Sequence, residues 1–202
     1  MWWWIALACT TSSSPPTAPA VLHPPFAGAA DVLQPFDHAP GEPQVLRHDG
    51  RRVPGTQGHS GVDFDLPAGH PVLAAADGHV ISAGVADPFP CPLTGQITSD
   101  QLQVRIRHPL PGGGYLDTAY AHLDTVTARP RSRVRRGEAI GTAGQSGCAA
   151  GAHLHFAVWW APAPAAPPVI VDPFATSSPP RPPAGTPPAS ATPLWARLPP
   201  TR

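Results

Sequence analysis

Residues 101–107 read QLQVRIR, and their alternation decides the fold class. Leu102, Val104 and Ile106 share one face while Gln103, Arg105 and Arg107 share the other, the period-2 pattern of a half-buried strand. C-terminal to it, Pro111-Gly112-Gly113-Gly114 reads as a turn and residues 115–122 (YLDTAYAH) as the returning strand. Residues 153–160 (HLHFAVWW) alternate again. N-terminal to it, residues 71–84 (PVLAAADGHVISAG) are expected to form two strands joined as a hairpin across Asp77-Gly78. Short apolar runs parted by Gly, Pro and Asp, with hardly any helical periodicity, predict an all-β domain.

The flanks read differently. The 202 residues include 31 prolines and 19 glycines, and the prolines crowd residues 15–43, 162–183 and 187–200. Residues 10–30, rich in Ser, Thr, Pro and Ala, read as a tether. Residues 31–175 are long enough to bury a core and are expected to form one domain. Residues 176–202 read as a Pro-rich disordered tail. The 13 basic residues balance 13 acidic ones, so no nucleic-acid partner is expected. The one charge cluster, RPRSRVRR at 129–136, reads as a solvated loop. No run approaches 18 apolar residues, so no transmembrane helix is predicted.

Residues 1–9 end in Ala6-Leu7-Ala8-Cys9, a short apolar block running into a small-residue cysteine and a Ser/Pro stretch. They read as a lipoprotein-type export segment with Cys9 as the lipidated residue, although no positive charge precedes the block. Export agrees with the cysteine count: Cys9 for the lipid, and Cys91 with Cys148 for one disulfide. No cysteine pair has zinc-finger spacing. The protein is expected outside the cytoplasm, in the cell envelope, as a monomer.

Three histidine-bearing motifs carry the chemistry. His153 and His155 fall at i and i+2 on a predicted strand, so both imidazoles share a face while Leu154, Phe156 and Val158 fill the core side. Taken alone, such a pair is more often two exposed histidines on a wet strand. In His59-Ser60-Gly61-Val62-Asp63, the neighbouring glycines argue against a helix, and a straight strand would hold the two end residues roughly 13 Å apart. They can share a metal only if the chain bends, which Gly61 permits. That carboxylate and imidazole, with one histidine from the later strand, make two nitrogens and one oxygen, a set suited to Zn²⁺ with a position left for water. The third motif, Tyr120-Ala121-His122, puts His122 at the end of a strand on the face of Tyr120 and Thr118. A lone histidine there is usually an ordinary polar residue.

Together and in this order, HSGVDF (59–64), AADGHV (75–80), YAHL (120–123), VRRGEAIGTAGQSG (134–147) and GAHLHF (151–156) resemble the lysostaphin-type, LytM-like zinc metallopeptidases that act on peptidoglycan. The resemblance covers about residues 58–174. It implies an antiparallel β-sheet core whose strands line an open groove holding one zinc. Residue by residue it implies His59, Asp63 and His155 as metal ligands, His153 as the general base and His122 as its catalytic companion. His108 also resembles a common family position and is read here as structural. The implied reaction is endopeptidic hydrolysis of cross-bridges or stems of bacterial peptidoglycan. A wall-binding or hydrolase-activating regulator on the same fold normally lacks ligands, so the five filled positions disfavour it. An amidase or carboxypeptidase of related architecture would differ in the bond it cuts.

Overall fold

The computed structural model describes residues 22–37, 45–46, 52–53 and 58–174. The expected export segment, the disordered tail and most of the tether therefore lie outside the described residues. Within them every regular element is a β-strand. In chain order the first five are β1 (Val32–Gln34), β2 (Val45–Leu46), β3 (Arg52–Val53), β4 (Val62–Phe64) and β5 (Pro71–Leu73). Next come β6 (Gly78–Val85), β7 (Phe89–Pro90), β8 (Ile97–Thr98), β9 (Leu102–Pro109) and β10 (Tyr115–Ala121). The last five are β11 (Leu123–Val126), β12 (Arg133–Val134), β13 (Ala139–Ala143), β14 (Leu154–Ala161) and β15 (Val169–Val171).

The main sheet runs β1-β4-β14-β10-β9-β6-β12, antiparallel throughout. One edge of β14 is shared: β4 pairs its first residues and β15 its later ones. The alternation of 101–107 decides the faces, as expected. Val104 and Ile106 are fully buried, and beside them Leu116, Tyr120, Leu154, Phe156 and Val158 form the core face. Each such side chain contributes about 1.5–3 kcal/mol of burial. A second sheet, β11-β13-β5, adds Val72, Leu123 and Ile140 to the same cluster. The other face of β9, β10 and β14 is left to carry the site.

Two expectations differ from the structure. Residues 71–84 do form two strands, but not a hairpin: β5 pairs β13, and β6 pairs β9 and β12. The stretch between them is held elsewhere. Ala74 exchanges backbone hydrogen bonds with Glu138 and Gly137, and the Asp77 carboxylate accepts from Arg136 N–H. Gly78 itself lies against β9, where a Cβ would meet the Arg107 carbonyl at 2.6 Å. The second difference is in the tether, whose end is packed. Leu22, Phe26 and Ala30 are buried, Phe26 stacks edge-on against Phe64 at 5.0 Å, and Leu73 N–H donates to the Pro25 carbonyl. Proline-rich composition rules out a helix there; it does not prevent apolar side chains from packing.

Candidate metal centre and active-site groove

Register alone brings two of the expected ligands together. β4 and β14 are neighbours with Asp63 directly opposite His155, and such cross-strand pairs hold their Cβ atoms about 4.5–5.5 Å apart. His155 Nδ1 and Asp63 Oδ1 are 2.8 Å apart. His59 lies just before β4, and the chain bends so that its Nε2 is 3.1 Å from both Asp63 Oδ1 and His155 Nδ1. Gly61 is needed for this approach: a Cβ there would sit 2.5 Å from the Phe156 carbonyl and 2.8 Å from His155 Cε1. Any side chain at 61 would drive the His155 ring from its place.

The segment before the motif orients His59. Its Nδ1 lies 2.8 Å from the Pro35 carbonyl. A carbonyl only accepts, so Nδ1 carries the proton and Nε2 presents a lone pair. Asp37 N–H donates to the His59 carbonyl, and the Asp37 carboxylate accepts from Gly58 N–H.

The three atoms now form a triangle with too few protons. With His59 neutral and Asp63 ionised, only His155 Nδ1 can donate, and one proton cannot occupy three contacts of 2.8–3.1 Å. In that state the His59–Asp63 edge sets lone pair against lone pair, and either a proton or a metal cation is needed between them. A cation at the centre removes that conflict. Two imidazoles and a carboxylate are a catalytic zinc donor set, and ligands at about 2.0–2.1 Å from a tetrahedral ion stand roughly 3.3 Å apart, close to these sides. The residues present fit zinc. Among the described residues this is also the group of histidine and acidic side chains spaced to hold a metal.

The local electrostatics agree. Burial opposes ionisation of Asp63, but hydrogen bonds and charge from His155 and His59 outweigh it and hold its carboxyl well below the usual range. Burial also works against protonation of His59, yet the Asp63 carboxylate and the Pro35 carbonyl raise it above its ordinary value. Both shifts mark a pocket poised for a positive charge beside Asp63.

His122 and His153 join the same pocket, by different routes. Strand alternation would put His122 on the core face with Tyr120. Instead β10 ends at Ala121, and His122 takes a left-handed φ of 61°, uncommon for a non-glycine residue. Its ring thereby turns to the groove, with centroids 4.6 Å from His153 and 5.9 Å from His155. His122 Nδ1 donates to the Ser146 carbonyl at 2.8 Å, and His153 Nδ1 to the Gly151 carbonyl at 2.8 Å. Each keeps an Nε2 lone pair, and that of His153 stands 3.7 Å from Asp63 Oδ2. Burial pushes His122 down to about 4, the Ser146 carbonyl opposing and the neighbouring histidines assisting, so it is neutral near pH 7. Sequence reading missed Pro35, Ser146 and Gly151. They act through carbonyls, which every residue owns, so no side-chain signal could have found them.

The centre opens onto a groove of about 680 Å³. Its floor is Ala119, Ala121, Ala157 and Trp159; Phe89 and Leu93 wall one side, and the loop 148–152 another. A disulfide between Cys91 and Cys148, the expected pair, joins these two wall segments. His108 stays outside the groove, buried between the Asp77 carbonyl and Thr118.

A fold of antiparallel strands with a His-Asp-His centre at a groove defines the class, and the chain belongs to peptidase family M23, whose model matches residues 57–167. It is 34% identical over 111 residues to the cell division protein DipM of Caulobacter vibrioides, covering 54% of this chain and 16% of that one. It is likewise 34% identical over 117 residues to the peptidoglycan DD-endopeptidase ShyB of Vibrio cholerae, covering 54% of this chain and 21% of the relative. The match thus spans about a fifth of these relatives' lengths. A zinc-containing peptidase from Vibrio cholerae superposes with a TM-score of 0.48 at 28% identity, covering 74% of this chain and 39% of that one.

Proposed function

We propose that the chain is a zinc-dependent endopeptidase hydrolysing peptide bonds in the cross-bridges or stems of bacterial peptidoglycan. In this reading His59, Asp63 and His155 hold the metal, while His153 and His122 move protons. The observation that carries it is the triangle of facing lone pairs, opening onto a groove beside two histidines whose free Nε2 atoms point to one pocket. Membership of family M23 supports the reaction class, and a relative named as a peptidoglycan DD-endopeptidase supports the substrate.

When bound, zinc supplies Lewis acidity and lowers the pKa of a coordinated water from 15.7 toward about 7. His153 is the base: its Nδ1–H is committed to Gly151, so Nε2 is free to accept a proton and later deliver it to the leaving amine. Such a role is typically worth about 10²–10⁴-fold. His122 offers a second bare Nε2 beside it and becomes a donor toward developing negative charge only after it has gained a proton. The disulfide-linked walls hold an extended peptide over the alanine floor. This chemistry belongs to the cell envelope, outside the cytoplasm, where disulfides persist, and Cys9 is the proposed lipid attachment site.

Purified sacculi incubated with the zinc-loaded protein are expected to gain new amino and carboxyl ends, identified by mass spectrometry, and to gain none after chelation. Release of no new ends, or equal release with chelator present, would overturn the reading.

A further inference from the structure

We infer that the Trp159 end of the groove carries a second recognition site, supplied by Arg105 stacked over that lining tryptophan, for a free carboxylate of the peptide substrate; this rests on the endopeptidase reading above. The register arranges this face of the sheet in three rows across β9, β10 and β14. Gln103, Ala121 and His155 form the row at the metal ligands. Arg105, Ala119 and Ala157 form the next, and Arg107, Asp117 and Trp159 the last. The alanines keep the floor low, so the groove continues from the ligands to Trp159.

At that far end two arginines face one carboxylate. Asp117, its side chain 2% exposed, is fully engaged by Arg107: Nε donates to Oδ1 and a terminal nitrogen to Oδ2, both at 2.7 Å. That bidentate pair is neutral and complete. Arg105 is surplus to it. Its terminal nitrogen is 4.0 Å from Asp117 Oδ2, beyond hydrogen-bond range. Its guanidinium lies 4.9 Å over the Trp159 ring, and its Nε is enclosed without a hydrogen-bond partner. A third of the side chain, 35%, is exposed. The fold thus holds a net positive charge on an aromatic shelf at the groove's end and leaves its hydrogen-bonding capacity unspent. Two acceptor oxygens in a plane are what a guanidinium fork matches.

The spacing sets where that carboxylate sits on the substrate. Four residue steps along β14 from His155 to Trp159 span roughly 13 Å. An extended peptide covers that in about four residues, or fewer if the carboxylate ends a long side chain. The ligand class is therefore an acidic peptide, its charge held well away from the bond that is cut.

The test uses soluble cross-linked peptide fragments of peptidoglycan in two forms: carboxylates free, or converted to carboxamides with carbodiimide and ammonia. The zinc-loaded full chain is expected to cleave the free-acid form with a kcat/KM about tenfold or more above the amide, mostly through KM. In Arg105→Gln that ratio falls to within about twofold of one. Equal cleavage of both forms by the wild type would overturn the carboxylate site and leave the endopeptidase standing. So would an Arg105→Gln variant that slows both forms alike and keeps the ratio. Cleavage of neither form by the wild type would overturn the endopeptidase reading itself.

Discussion

Among the described residues, two clusters built on histidine lie on opposite faces of the main sheet, and they differ in whether their protons suffice. On the core face, His108 Nδ1 meets the Asp77 carbonyl at 2.9 Å and Nε2 meets the Thr118 hydroxyl at 2.8 Å. The Thr118 and Tyr120 hydroxyls are 3.1 Å apart, and Tyr120 accepts from Ala75 N–H. Every contact in that chain can be assigned a proton, and the cluster is closed. On the groove face, with the imidazoles neutral, three contacts among His59, Asp63 and His155 share one proton, and His122 and His153 each leave a nitrogen unbonded. The clusters differ in size, one histidine against four, and the metal-site trio is slightly more exposed than His108, but neither difference says what each cluster is for. Proton counting does: a saturated network holds the fold, and an unsaturated one awaits a cation or a substrate.

The largest effect is expected from breaking the open cluster at one of its proposed metal ligands. His155→Ala should lower sacculus hydrolysis by about 10³-fold or more, since several kcal/mol of metal-derived stabilisation go with it; retention of near-wild-type turnover would remove His155 from the centre. Next in size is His153→Ala. Turnover should fall about 10²-fold or more with little change in zinc content, because proton transfer is lost while the triangle stands. A zinc-poor His153 variant would mean the two histidines of the strand have exchanged roles.

Smaller still is damage to the closed cluster. His108→Leu strands the Asp77 carbonyl and the Thr118 hydroxyl and should destabilise the fold by about 1–3 kcal/mol in denaturant titrations. It also carries a pH signature. Burial lowers the His108 pKa, with the Asp77 carbonyl opposing, so the folded protein keeps His108 neutral where the unfolded chain protonates it. The stability this histidine contributes is present above about pH 6.5 and is lost as pH falls below that, by at most about 1.4 kcal/mol per pH unit. The gap between wild type and His108→Leu should narrow from pH 7.5 to pH 5.5. A gap that stays constant would mean His108 titrates as it does in the unfolded chain.

Much of this was legible in the sequence, for identifiable reasons. Leu102, Val104 and Ile106 state their face by alternation, and the same period puts His153 and His155 on one side of a strand. The Gly61 bend between His59 and Asp63 follows from the distance a straight strand would impose. What could not be read depends on long-range partners. Alternation assigns His122 to the core face, and only the left-handed turn, where the chain leaves β10 for the second sheet, sends it to the groove. The Asp77-Gly78 pair has hairpin chemistry, but β5 and β6 find better partners in β13 and β9. Leu22 and Phe26 look like tether because their burial depends on Phe64 and β5, far along the chain.

The central claim, that the open cluster is a metal centre and the closed one is not, is tested most directly by zinc content. Elemental analysis of purified, dialysed wild type, His155→Ala and His108→Leu should find about one zinc per chain in the first and third and almost none in the second. A wild type without zinc, or equal loss of zinc in the two variants, would contradict it.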